Sequence, residues 1–148
     1  MQHANMQSSR SERARRILLV EDHGGYRTVV CDALGWYLPG AIVLTAGSVG
    51  EALDVLRSEE VDVLVADMTL PDGSAVDLVT GAGDMIGQNG KVIFFSSYSS
   101  AEMLPVLSRP DVHGFVSKEQ GVKALAAAIR QAMGEAGDVM ESRTLSPV

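Results

Sequence analysis

Val61-Asp62-Val63-Leu64-Val65-Ala66-Asp67-Met68-Thr69-Leu70-Pro71-Asp72-Gly73 is the stretch whose reading decides the fold. An apolar run of strand-forming residues, Val61 to Ala66, stops at Asp67, and a Pro-Asp-Gly turn follows. The pattern predicts a buried strand with a carboxylate at its carboxyl end, facing a loop, which is where open α/β sheets place their chemistry. A short acid at a strand end is more often a turn or helix-capping residue, because it hydrogen-bonds nearby backbone N–H groups. Only partners elsewhere in the chain can overturn that ordinary reading.

Upstream, Ile17-Leu18-Leu19-Val20 predicts a short buried strand ending in Glu21-Asp22-His23-Gly24-Gly25, so a second pair of acids closes a second strand. Tyr26 to Leu38 spaces Val29, Val30, Ala33, Leu34 and Tyr37 at helical intervals, and Pro39-Gly40 stops it. The glycines at 24 and 25 predict a mobile first loop. Ala41 to Thr45 is a strand, and Ser48 caps a helix facing Ala52, Leu53, Val55 and Leu56 inward, with Glu51 at capping-box spacing.

Downstream, Ser74 to about Thr80 supports a short helix, and the four glycines between 81 and 90 predict a loop. Val92-Ile93-Phe94-Phe95 is a fourth strand ending at Ser96-Ser97, and Gly114-Phe115-Val116-Ser117 is a fifth ending at Lys118. Between them Ala101 to Leu107 forms a helix limited by Pro105. Val122 to Met133 aligns Leu125, Ile129 and Met133 on one core-facing stripe. Strands alternating with amphipathic helices, βαβαβαβαβα, predict a five-stranded, doubly wound parallel sheet with helices on both faces and right-handed crossovers.

The chain has 148 residues, room for one core rather than two full domains. We expect a basic flexible tail at 1–15, one folded unit at 16–134, and a polar tail or linker at 135–148. With 46% hydrophobic and 21% charged residues the composition is that of a globular protein. The net charge of −7 is uneven: residues 1–16 carry +3 and the remainder −10. An acidic body repels phosphate backbones and is a poor nucleic-acid surface. No apolar stretch reaches the length of a membrane span and no signal-peptide core follows the first residues, so a cytoplasmic location is the expectation. The single Cys31 excludes an internal disulfide or a thiolate metal site and reads as a small core residue.

A parallel sheet gathers the carboxyl ends of all its strands along one edge, and there the sequence puts Glu21, Asp22, Asp67, Ser96 and Lys118. Three carboxylates held within several ångströms repel one another by roughly 1 to 4 kcal/mol per pair. A hard divalent cation relieves that repulsion; Mg²⁺ suits oxygen ligands, keeps several waters and takes one or two carboxylates plus a phosphate. A lysine balances a phosphoryl group and a serine hydroxyl hydrogen-bonds it, so the set describes a phosphoryl-transfer site. Each residue also has a plainer reading: Glu21 and Asp22 as capping acids, Lys118 as a solvated charge, Ser96 as a turn hydroxyl, Phe115 as a core aromatic. His23 adjoins the acids, but a single histidine without a matched partner is more often a loop residue than a metal ligand, and His3 and His113 do not join it.

Over Arg16 to Met133 the chain resembles the receiver domains of two-component response regulators, which share the flavodoxin-like fold. Glu21-Asp22 resembles the family's acidic pair, Asp67 its phospho-acceptor, Leu70-Pro71-Asp72-Gly73 the following turn, and Gly50-Glu51-Ala52-Leu53 a second-helix signature. Ser96 resembles its switch hydroxyl, Phe115 its switch aromatic and Lys118 its lysine. The resemblance implies that Asp67 takes a phosphoryl group from a histidine kinase or phosphotransfer protein. It implies Mg²⁺ held by Asp22, Asp67 and the backbone carbonyl of Met68, with Glu21 acting through water. It further implies that Lys118 pairs with the phosphoryl oxygens while Ser96 moves toward them and Phe115 turns into the space opened. The chain would be a signalling domain that catalyses only its own phosphorylation and dephosphorylation, and a homodimer formed on phosphorylation is a further expectation. Thr69, at the mouth of the site, would tune hydrolysis. Ser96 stands where Thr is commoner, and Glu119 stands where many receivers have Pro after the lysine, which disfavours a cis bond there by about 3 kcal/mol.

Thr144-Leu145-Ser146-Pro147 resembles the opening of a LuxR-type helix-turn-helix domain, so DNA would be reached only through an output domain outside this chain. A stand-alone signalling receiver is the alternative. A Mg²⁺-dependent phosphohydrolase on a similar sheet is a third reading, but its commonest motif needs a second Asp where Thr69 stands. A nucleotide- or flavin-binding module lacks its glycine-rich loop after the first strand.

Overall fold

In the computed structural model, which describes residues 14–86 and 89–134, five parallel strands form one sheet. They are β1 (Arg16–Val20), β2 (Ile42–Ala46), β3 (Val63–Ala66), β4 (Lys91–Ser96) and β5 (Gly114–Ser117), in the order β2-β1-β3-β4-β5. Five helices connect or follow them: α1 (Gly24–Tyr37), α2 (Val49–Ser58), α3 (Ala75–Ala82), α4 (Ser100–Leu107) and α5 (Gly121–Ala132). Of the tails expected at 1–15 and 135–148, residues 1–13 and 135–148, including the Thr144–Pro147 resemblance, lie outside the described residues.

Alternation along the strands builds two cores. Leu18, Val20, Leu64, Ala66, Val92 and Phe94 face Leu56, Leu78 and Met103 of α2, α3 and α4. Ile17, Leu19, Val63, Val65, Ile93 and Phe95 face Leu34, Leu125 and Ile129 of α1 and α5. A sheet buried on both faces needs near-continuous apolar strands, which is why β1 and β3 carry no polar residue after Arg16. Each fully buried Leu, Ile or Phe side chain contributes about 1.5–3 kcal/mol.

The predicted order of elements is observed, and the departures lie at boundaries. Helix α1 begins at Gly24, so Gly24 and Gly25 form its first turn rather than a mobile loop. His23 is the reason: its Nδ1 accepts the Tyr26 N–H at 3.0 Å and caps the helix. Helix α4 ends at Leu107 as expected, starts one residue earlier at Ser100, and carries Pro105 in its last turn. Ser99 and Glu102 form a reciprocal capping box at its start, and buried Met103 anchors it, so the helix survives the hydrogen bond that proline removes. The Ser48 cap is observed, but Glu51 bonds the Gly47 N–H at 2.8 Å, one residue before the cap. The turn after β3 contains a two-residue antiparallel ladder, Thr69–Leu70 against Gly73–Ser74, that was not expected. Gly73 holds φ +154 there, and a Cβ would approach Asp77 Oδ2 to 3.0 Å. The Lys118–Glu119 peptide is trans.

Candidate functional site

Strand order places the switch point of the sheet at β1, which pairs with β2 on one side and β3 on the other. Crevices at the carboxyl ends of strands flanking such a point hold ligands in α/β sheets. The ladder extends one residue past the strands, with the Glu21 N–H donating to Ala46 O at 3.0 Å and the Asp67 N–H to Val20 O at 3.1 Å. Both acids are thereby held by backbone, not by loop chance.

Glu21, Asp22 and Asp67 come together, each offering a carboxylate oxygen within 4.8 Å of the others. Lys118, at the end of the edge strand β5, donates from Nζ to Glu21 Oε1 and to Asp67 Oδ2, both at 2.8 Å. Glu21 is 4% exposed, and its second oxygen accepts the His23 N–H at 3.1 Å. Asp22 is exposed. Three carboxylates against one ammonium leave the group with a formal charge of −2. Burial alone would push the Lys118 pKa down, but its hydrogen bonds and ion pairs to Asp67 and Glu21 outweigh that and hold it above the ordinary lysine range.

The remaining sequence-predicted residues stand in a second ring. Ser96 is fully buried at the end of β4, in register with Ser117 beside Lys118, and its Oγ accepts the Tyr98 N–H at 3.4 Å. The Met68 carbonyl accepts the Ala75 N–H at 3.0 Å and keeps a second lone pair. Phe115 pairs in register with Phe94 and packs, partly buried, against the core on the α4 face. Thr69 lies exposed, its Oγ1 3.1 Å from Tyr98 Oη.

Sequence reasoning missed several residues. The Tyr26 ring lies under Lys118, whose Nζ is 4.8 Å from its centroid, and stacks on Phe95 at 6.4 Å between centroids. A cation over an aromatic face contributes about 0.5–2 kcal/mol. Burial raises the Tyr26 hydroxyl pKa, with the Lys118 charge opposing and Glu21 and Asp67 adding to the rise. Beside it a groove of ≈ 550 Å³ is lined by Glu21, His23, Tyr26, Lys118 and Glu119. Arg27 donates from Nη1 to the Glu21 carbonyl at 2.7 Å. Asp72 accepts the N–H groups of Val49 and Gly50 at 2.7 and 2.9 Å, tying the turn after β3 to the start of α2. Those two bonds hold its carboxyl below the ordinary aspartate range. The helical spacing of Tyr26 and the helix-start position of Arg27 were visible signals; nothing local connects residue 72 with residue 49.

The response regulator receiver domain family matches residues 17–130. Among curated relatives, the DNA-binding transcriptional activator DevR/DosR of Mycobacterium tuberculosis is 28% identical over 130 residues, 86% of this chain and 58% of its own. The oxygen regulatory protein NreC of Staphylococcus haemolyticus is 25% identical, covering 78% of this chain and 53% of its own. The chain thus spans just over half the length of the curated relatives it matches. Among solved structures, the receiver domain from the hybrid histidine kinase CckA superposes with a TM-score of 0.66 at 28% identity, over 80% of this chain and 98% of that one. A LuxR-family DNA-binding response regulator from Staphylococcus aureus gives 0.72 at 16% identity, over 81% of this chain and 99% of that one, and shares the fold. Matched from β1 almost to the end of α5, the chain belongs to the receiver domains of two-component response regulators, the modules of phosphorylation-based signalling.

Proposed function

We propose that Asp67 is the phospho-acceptor of this receiver, taking its phosphoryl group from a phosphohistidine on a sensor kinase or phosphotransfer protein in the cytoplasm. The observation that carries the reading is the Lys118 ammonium bridging Asp67 and buried Glu21, with Asp22 in the same cluster. An Asp67 carboxylate oxygen forms a bond to phosphorus as the phosphorus–nitrogen bond of the donor breaks. The electron pair leaves with the imidazole, and the product is an acyl phosphate. Lys118 then exchanges a carboxylate partner for the phosphoryl oxygens, and Ser96 Oγ supplies a hydrogen bond to them.

The carboxylate set fits Mg²⁺. Two oxygens bound directly to Mg²⁺ lie no more than about 4.2 Å apart, so a spread of up to 4.8 Å suits direct ligation by some members and a water bridge to another. Glu21, with both oxygens already engaged, suits the water-bridged place. Asp22 and Asp67 would hold the ion directly, joined by the second lone pair of the Met68 carbonyl. Bound there, Mg²⁺ would neutralise charge on the transferring phosphoryl group. Phosphorylation would draw Ser96 inward and let Phe115 occupy the vacated space, shifting the population between two surfaces. Control of transcription through a DNA-binding region is the output supported by the activators among the relatives, and a homodimer formed on phosphorylation would accompany it.

Incubation with acetyl phosphate and Mg²⁺ followed by intact-mass measurement tests the reading. The wild-type chain should gain one phosphoryl group, and Asp67→Asn should not. Multiple turnover of a phosphoester without an adduct would mark a hydrolase instead.

A further inference from the structure

The acidic pair hangs on a three-residue connection between β1 and α1, and its middle residue, Asp22, is exposed. An exposed carboxylate can still be aimed if the peptides on either side of it are fixed. On the far side, the His23 N–H is held by Glu21 Oε2 at 3.1 Å. On the near side, the Glu21 carbonyl is held by the Arg27 guanidinium at 2.7 Å, reaching back from the first turn of α1.

The guanidinium has a built seat. A Cβ on Gly47 would come within 2.9 Å of Arg27 Nη1, so the turn between β2 and α2 leaves that space to arginine. Glu51 Oε1 bonds the Gly47 N–H at 2.8 Å and fixes the same turn from the other side. A Cβ on Gly24 would stand 3.7 Å from Arg27 Nη2, ordinary contact distance. The arginine therefore joins three segments: the acidic connection, the β2–α2 turn and the first turn of α1.

We propose that Arg27 is a positioning residue for the Mg²⁺ site, clamping the Glu21 carbonyl over Gly47 so that Asp22 is aimed at Asp67. The proposal rests on the reading of the acidic cluster as a Mg²⁺ site. Arg27 ligates nothing itself. Its effect passes through the backbone of residues 21 and 22, as groups behind metal ligands commonly act, where their loss costs 10–100-fold in metal affinity.

The experiment has two readouts, taken where circular dichroism shows every variant fully folded. In the Mg²⁺-free protein, Arg27→Ala should accelerate hydrogen exchange at the His23 amide. In a titration with Mg²⁺ alone, followed by the amide resonances of Asp22 and Met68, Arg27→Ala should weaken binding about tenfold. Arg27→Lys, which still presents a cation to the carbonyl, should recover most of that loss. Gly47→Ala should reproduce it by displacing the guanidinium, and should add little on top of Arg27→Ala because both remove one interaction. Wild-type affinity in Arg27→Ala, or independent addition of the two substitutions, would overturn the clamp. A wild-type protein that ignores Mg²⁺ would overturn the metal reading instead, and the exchange rate at His23 alone would then decide whether Arg27 orders the connection.

Discussion

The two flanks of the site are built differently. On the α1/α5 flank, Glu21, His23, Tyr26, Arg27 and Lys118 are linked to one another and to Asp67 by hydrogen bonds, ion pairs and a cation–π contact, with Glu21 4% exposed. Behind them α1 and α5 run 14 and 12 residues, enough turns to bury Val30, Leu34, Leu125, Ala126 and Ile129. On the α4 flank, Thr69 and Tyr98 share one exposed hydrogen bond, and α4 is an 8-residue helix that carries Pro105. Among its described side chains Met103 alone is buried, while Leu104 is 65% exposed. The difference teaches a division of labour: one flank holds fixed charges in place, and the other ties fewer of its side chains into the core. Elements that move are drawn from the low-stability end of a structure.

The comparison breaks most visibly at Lys118. Replacing it with Met leaves buried Glu21 without its charged partner beside two more carboxylates, and should cost about 3 kcal/mol in chemical denaturation. Added Mg²⁺ should restore part of that loss, because it supplies positive charge to the same carboxylates. The pH dependence carries the matching sign. The Lys118 pKa is raised on folding, so its contribution is complete below the ordinary lysine value of 10.5 and disappears as pH rises through the raised one. Wild type should therefore lose stability above pH 10.5 more steeply than Lys118→Met; parallel curves would remove the ion pair from the rigid flank's account.

Met103→Ala sharpens the comparison from the other flank. It should cost about 2 kcal/mol and raise hydrogen exchange in α4 before the rest of the sheet follows, whereas Leu34→Ala should loosen the molecule as a whole. Equal acceleration everywhere would show the two flanks to be one cooperative unit. Tyr98→Phe is the smallest perturbation. It deletes the hydroxyl bonded to Thr69 and should change stability by no more than about 0.5 kcal/mol, while altering the lifetime of the phosphorylated state read by intact mass. A lifetime identical to wild type would remove the pair from the site.

The period of the apolar residues decided much of this in advance. Alternating buried strands and helical stripes, with Asp67, Glu21-Asp22, Ser96 and Lys118 each following a strand, specify a parallel sheet and one chemical edge, because parallel strands all end on the same side. Register, caps and contacts across long separations were decided only by tertiary structure. Lys118 meets Glu21 across 97 positions, and Asp72 reaches back 22 to the Gly50 amide. The glycines at 24 and 25 became helix because His23 turned its ring to cap them, a rotamer choice that sequence spacing does not encode. Sequence patterns report which face of an element is buried; which side chains meet at its end depends on twist, strand order and packing. Those are fixed only once the sheet is assembled.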